Sequence, residues 1–197
     1  MNLKEQFKYL CDTPSDINEH LPTLSEYAQE CDHITEMGVR EVVSTYALLN
    51  GKPKTLISID IKHPNEFNNS NNLDDVEKYA NEQNTNFTFV QDDTRNIEID
   101  ETDMLFIDTL HTYRQLCAEL EIHGNKARKY IIFHDTTLYG CCDEQSNDSP
   151  TQGLIPAIKS FQTLNPHWVE EKVFTNNNGL TILRRIQHDG KSTNNTT

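Results

Sequence analysis

The chain has 197 residues, enough for one domain that buries most of its apolar surface without disulfide or metal staples. Hydrophobic residues at 35% and a mean hydropathy of -0.70 are low but compatible with a globular fold carrying polar loops. A formal charge of -14 argues against non-specific binding to nucleic acid or anionic membrane, which need a basic face, and leaves a small neutral or cationic ligand easier to accommodate.

The five cysteines, Cys11, Cys31, Cys117, Cys141 and Cys142, are odd in number and lack C-x-x-C spacing, which fits a reducing compartment. The start, Met1-Asn2-Leu3-Lys4-Glu5-Gln6, has no apolar signal core, and no run approaches the roughly 18 apolar residues of a membrane span. A cytoplasmic location is the expectation.

In chain order, residues 1–14 show weak helical periodicity ending at Pro14 and read as a loosely attached lead-in. Ile17, Leu21, Leu24, Tyr27 and Ala28 share one helical face between Ser15 and Glu30, with Pro22 marking a break inside it. Ile34 to Met37 is a short strand, Gly38 to Glu41 a turn, and Val42 to Leu49 an apolar helix closed by Asn50-Gly51. Thr55 to Asp60 is a strand ending in an acid. The Asn-rich stretch from Asn65 to Asn72 is a surface loop, Leu73 to Glu82 an amphipathic helix, and Asn86 to Val90 an alternating strand before Gln91-Asp92-Asp93.

The chemistry is expected at two later strand ends. Met104 to Ile107 is a continuous apolar run, the pattern of a strand covered on both faces, and it stops at Asp108-Thr109-Leu110-His111-Thr112-Tyr113. Lys129 to Phe133 likewise runs into His134-Asp135-Thr136, with a helix from Thr112 to His123 between the two strands. In open α/β sheets the ligand crevice lies beyond the carboxyl ends of the strands, so two strands that each end in Asp and His suggest one shared polar site.

The irregular segment from Leu138 to Gln152 reads as a lid or a disordered loop. A helix from Gly153 to Leu164 follows, and then Trp168 to Phe174 and Leu180 to Arg185 flank Asn176-Asn177-Asn178-Gly179, a hairpin signal. Residues 187–197 are a polar tail expected to be disordered. The alternation of strand and helix predicts one α/β domain over 15–186: a Rossmann-like, doubly wound, mostly parallel sheet closed by an antiparallel hairpin.

This pattern, with Glu36-x-Gly38 and Ser44-Thr45, then Asp108-x-x-His111-x-Tyr113, then His134-Asp135-Thr136, resembles the class I S-adenosylmethionine-dependent methyltransferases. The resemblance runs from about Ser15 to Arg185 and narrows to the branch of macrocin-type sugar O-methyltransferases and cephalosporin-hydroxylase-like proteins. It implies that Glu36 and Gly38 form the first cofactor turn, that the next helix start with Ser44 receives the cofactor carboxylate, and that Asp60 takes the ribose hydroxyls. Asp92 or Asp93 would lie near the adenine.

The resemblance further implies a magnesium or manganese ion held by Asp108 and Asp135, with His134 where the family usually has Glu. It implies His111 as the general base. A change from carboxylate to imidazole would move the site towards softer ions or abolish it. Glu41, Val42 and Val43 stand where the family turn usually carries a second glycine.

Each of these residues also has a plain structural role to offer. Asp60 and Asp108 could cap turns after strands, His111 could open a helix, Tyr113 could be packing, and the Cys141-Cys142 pair incidental. The leading expectation is O-methylation of a small hydroxylated acceptor, a sugar being one candidate. The alternative is a binding module of the same fold without turnover. The absence of G-x-G-x-x-G after the first strand argues against a dinucleotide enzyme. Homo-oligomerisation is left open.

Overall fold

A computed structural model describes residues 1–67, 71–144 and 152–186. Its centre is a seven-stranded sheet: β1 (His33–Met37), β2 (Thr55–Asp60), β3 (Asn86–Gln91), β4 (Thr102–Ile107), β5 (Ala127–His134), β6 (Trp168–Phe174) and β7 (Leu180–Arg185). The order is β3-β2-β1-β4-β5-β7-β6. The first five strands are parallel, and β7 runs antiparallel to both β5 and β6, as the hairpin signal predicts. The chain winds outward from β1 to β3, returns to the middle and then winds the other way from β4. The order therefore reverses between β1 and β4, and a crevice opens at such a point.

The central strands are apolar on both faces because both are covered. Along β4 and β5, Met104, Phe106 and Ile132 join one core layer, and Leu105, Ile107, Ile131 and Phe133 the other, the two-residue alternation of a strand. The first layer is closed by α2 (Leu21–Ala28), α3 (Val43–Asn50) and α4 (Leu73–Glu82), the second by α5 (Tyr113–His123) and α6 (Leu154–Leu164). Among the described residues no helix is long and apolar enough to cross a membrane.

One element differs from expectation, and another restarts beside Pro22 as expected. The lead-in is a docked helix, α1 (Leu3–Asp12). Asn2 and Glu5 form a reciprocal capping box at its start, and Leu10 is buried in the first layer with Leu3, Phe7 and Cys11 packed against it. The helix expected from Ser15 to Glu30 is two pieces, a single 3-10 turn at Asn18–His20 and then α2, with Pro22 in the first turn of α2 where a missing N–H costs nothing. The central part of the Asn-rich loop and the proposed disordered tail lie outside the described residues.

The hairpin tip also organises the site. Asn177, Asn178 and Gly179 all have positive φ, the left-handed geometry that Asn and Gly tolerate best. The folded tip presents its polar groups to the segment before α2: the Asn177 side chain receives the Glu19 N–H and donates to the Ser15 carbonyl, and His20 Nε2 donates to the carbonyls of Asn176 and Asn177. Residues 15–20 are thereby fastened over the carboxyl ends of the strands.

Candidate active site

A cavity of about 560 Å³ opens at the reversal between β1 and β4. Gly38 lines it with φ 85°, and a Cβ there would lie 2.0 Å from the Asp108 carbonyl oxygen. Only glycine lets the loop after β1 lie this close to the end of β4. The loop is pinned further by Asp60, whose Oδ2 accepts the N–H groups of Val39 and Arg40 at 2.7 and 2.9 Å. Of the positions that stand where the family's second glycine is expected, Val42 keeps a glycine-like backbone at φ 56°, and Arg40 just before them has φ 45°. A β-branched residue in this region is strained, so the turn is held by its surroundings.

Glu36, expected at the cofactor turn, does not line the cavity. Its carboxylate is fully buried and receives the hydroxyls of Ser44 at 2.6 Å, Thr45 at 2.8 Å and Ser58 at 2.6 Å. Burial pushes its pKa up to about 7, the three hydroxyl donors offsetting part of that shift. Its place is structural: it ties β1, β2 and the start of α3 together behind the turn. Ser44 does line the cavity, but its hydroxyl proton is committed to Glu36. Val42 provides no side-chain cap to α3, leaving first-turn N–H groups available beside Val43 and Ser44.

Asp60, Asp92 and Asp93 all face the cavity. Asp93 is committed to Arg95, accepting from its Nε at 3.0 Å, its Nη2 at 2.6 Å and its backbone N–H at 2.9 Å. Asp92 accepts the Asp93 N–H. Two apolar side chains, Ile61 after β2 and Leu110 after β4, stay 64% and 40% exposed and line the same space.

At the other end of the cavity the two strand-end motifs converge. His111 Nε2 is 3.1 Å from Asp108 Oδ1 and 2.9 Å from Asp135 Oδ2. One ligand atom from each of Asp108, His111 and Asp135 lies within 4.8 Å of the others. His134 stands behind them, its Nδ1 at 3.3 and 3.4 Å from the same two carboxylates and its Nε2 facing the carbonyls of Asp16 and Asn177. Those carbonyls can only accept, so Nε2 donates to them, and Nδ1 is turned towards the acids. The residue placed directly with the acids is therefore His111 as much as His134, whereas the sequence assigned His111 to proton transfer alone.

Burial by itself would lower the pKa of both imidazoles, but hydrogen bonds to Asp108 and Asp135 outweigh it and hold each at about 10. The same contacts, working against burial, keep Asp108 and Asp135 below the usual carboxylate range. Asp135 sits at φ 58°, and its Oδ1 is buried without a hydrogen-bond partner among the described residues. Asp135 belongs to the group of Asp108, His111 and Asp135, and a carboxylate oxygen left without a donor there is one that a cation would satisfy.

Sequence reasoning missed Glu144, which lies in the irregular segment after β5. Its Oε2 accepts from the His111 backbone N–H at 3.1 Å and meets His111 Nδ1 at 2.9 Å, while Tyr139 stacks on the His111 ring at 4.9 Å. Asp16, which lines the cavity and pairs with Arg40 at 2.8 Å, was also missed. Of the expected lid, residues 145–151 lie outside the described residues. Tyr113 packs against the second core layer, and Cys141 and Cys142 are exposed free thiols.

Solved structures share this arrangement of strands and helices. An O-methyltransferase from Bacillus cereus in complex with SAH superposes with a TM-score of 0.59 at 16% identity, covering 93% of this chain and 90% of that one. The O-methyltransferase TomG from Streptomyces achromogenes, involved in tomaymycin synthesis and solved with SAM, gives 0.57 at 16% identity over 89% and 82% of the two chains. The SAH-bound methyltransferase PaMTH1 from Podospora anserina gives 0.51 at 12% identity over 94% and 88%. The chain has the class I methyltransferase fold. No protein-family model and no curated protein matches the sequence, so the likeness lies in the methyltransferase fold and not in sequence. In that fold the cavity described above occupies the crevice at the sheet's reversal point.

Proposed function

We propose that the protein is an S-adenosylmethionine-dependent O-methyltransferase acting on a small hydroxylated acceptor, a sugar among the candidates, with a divalent ion at the acceptor end. The observation that carries this reading is a single cavity joining Asp60 and the start of α3 at one end to Asp108 and His111 at the other, with Asp135 bonded to His111 there. About 560 Å³ falls within the usual range of small-molecule sites. The parts suit the cofactor: the Asp60 side chain to accept from ribose hydroxyls, free helix N–H groups for a carboxylate, and apolar Ile61 and Leu110 for a flat base. The structural neighbours solved with SAM or SAH support the same cofactor here.

Asp108 and Asp135 would hold magnesium or manganese, with His134 Nδ1 behind them. Such an ion, when bound, lowers the pKa of an acceptor hydroxyl and orients it. His111 is proposed as the base. Its Nε2 can accept a proton only when Asp108 and Asp135 are otherwise engaged, because their hydrogen bonds are what hold it protonated. Glu144 and Tyr139 fix the ring so that Nε2 points at the acids. The remaining task of an in-line methyl transfer is alignment, which a cavity spanning both ends provides.

A binding module without turnover is the second reading, motivated by the lost glycine and by His134 in place of the family's Glu. The left-handed geometry of Val42 weighs against it, since the turn survives the substitution. Calorimetric titration with S-adenosylmethionine and S-adenosylhomocysteine, with and without magnesium or manganese, tests the cofactor. A methyl-transfer assay over small hydroxylated acceptors, sugars included, tests turnover. Binding without transfer to any acceptor would favour the module, and no binding of either cofactor form would remove the methyltransferase reading and leave only a module for some other small molecule.

A further inference from the structure

Gln115, in the first turn of α5, is buried against the cavity wall with its side-chain amide locked in one orientation. Its Nε2 donates to Glu119 Oε1 at 2.8 Å and to Thr94 Oγ1 at 3.2 Å, which uses both amide hydrogens. Glu119 is fully buried and also receives the hydroxyls of Thr94 at 2.6 Å and Thr109 at 2.9 Å. His123 Nε2 donates to the Thr94 carbonyl at 2.7 Å and so anchors the far side of the network. The Thr94 hydroxyl spends its one hydrogen on Glu119 and can only accept from Gln115, so the nitrogen of Gln115 faces Thr94 and Glu119 and its oxygen faces away from them.

That oxygen has no donor among the described residues, where the sealed polar side-chain atoms lacking a partner are His123 Nδ1 and Asp135 Oδ1. Gln115 Oε1 is therefore an open acceptor on the wall of the cavity. Thr94, Ile61 and Leu110 line the same cavity. Of the two acids expected near the adenine, Asp93 is committed to Arg95 and Asp92 accepts the Asp93 N–H, and both lack the fixed orientation that the buried network gives Gln115.

We infer that Gln115 is the specificity residue for the base of the cofactor: its fixed Oε1 accepts from the exocyclic amine of adenine and rejects a base with a carbonyl at that position. The inference rests on the cofactor reading above and goes beyond it by naming the discriminating atom. Apolar walls tolerate any flat heterocycle, whereas an acceptor that cannot turn distinguishes an amine from a carbonyl. A freely rotating glutamine would serve both. The Glu119 network removes that freedom.

The test is calorimetric titration of the full chain and of Gln115→Met, each with S-adenosylhomocysteine and with S-inosylhomocysteine, which carries a carbonyl in place of the amine. Wild type should bind the adenosyl ligand at least about tenfold more tightly, the scale of one directed hydrogen bond. In Gln115→Met the adenosyl ligand should weaken about tenfold and the inosyl ligand should not, so that the preference disappears. A variant that keeps the wild-type ratio overturns the inference and leaves the cofactor reading standing. Equal loss of both ligands overturns it too, because that is what a merely structural side chain gives. Wild type that binds neither ligand removes the cofactor reading and this inference with it.

Discussion

The Asp60 carboxylate receives the backbone N–H of Val39 at 2.7 Å, so the acid at the end of β2 holds in place the loop that follows β1. The same side chain faces the cavity, which gives it two duties: shaping the turn and accepting from a ligand. Asp60→Ala removes both. It should weaken S-adenosylmethionine binding by about ten- to a hundredfold, the range for hydrogen bonds to a charged group. Titration that returns the wild-type affinity would mean that the ribose end lies elsewhere.

Val42 is completely buried yet sits at φ 56°. Replacing it by Gly relieves roughly 1 to 3 kcal/mol of backbone strain but forfeits roughly 1.5 to 3 kcal/mol of side-chain burial. The two should nearly cancel. Val42→Ala loses most of the burial and keeps an L side chain at positive φ, so it should be the less stable of the two by about 1 kcal/mol. This inverts the usual order of Ala above Gly. Urea unfolding of both variants checks it, and Ala above Gly would show that the surroundings, not the residue, absorb the strain.

Glu36 supplies a pH dependence with a definite sign. Burial raises its folded pKa to about 7 against an ordinary 4.5, so the folded chain binds a proton more tightly than the unfolded one. Its contribution to stability is complete below about pH 4.5 and is lost as pH rises through 7. Glu36→Gln keeps the shape, and the three hydroxyls can reorient to serve an amide. The variant should gain on wild type as pH rises, levelling off above pH 7 at a difference on the order of 3 kcal/mol. Unfolding curves that run parallel between pH 5 and 8 would mean that Glu36 stays ionised throughout.

The parts of the site that were legible in sequence are those that end an apolar run. Met104 to Ile107 and Tyr130 to Phe133 are apolar because both faces of the sheet are covered, so the polar residues that terminate them had to emerge at the crevice. Asp108 and Asp135 follow from that rule, and the hairpin follows from Asn178-Gly179. Glu36 misleads because it belongs to the strand and not to its end, and alternation turns it into a layer that three hydroxyls make polar. In α1, Leu3, Phe7, Leu10 and Cys11 do fall on one helical face, but nothing local says what that face packs on. Gln115 and Glu119 were hidden for the same reason, since their partners Thr94 and Thr109 come from other strand ends. Glu144 lies in a stretch without periodicity, where only the folded chain brings it to His111.

The roles proposed at the acceptor end separate under mutation. Asp135 Oδ1 is buried and has no partner among the described residues, and Asp108 Oδ1 and Asp135 Oδ2 flank His111 Nε2. An ion bound there stabilises only the folded state, by about 2.7 kcal/mol when its concentration is a hundred times its dissociation constant. Manganese or magnesium should therefore raise the melting temperature of the wild-type chain, and a chelator should reverse the gain. Asp108→Asn and Asp135→Asn should lose the gain together with methyl transfer, because each removes a charged ligand oxygen. His111→Ala should keep the metal-dependent gain while transfer falls roughly a hundredfold or more, the contribution of a positioned base. If the gain disappears in His111→Ala as well, the imidazole is a ligand and some other group takes the proton. If the ions shift no melting temperature even in wild type, Asp108 and Asp135 serve only to neutralise His111 and His134, and the transfer, if it occurs, is independent of metal at this site.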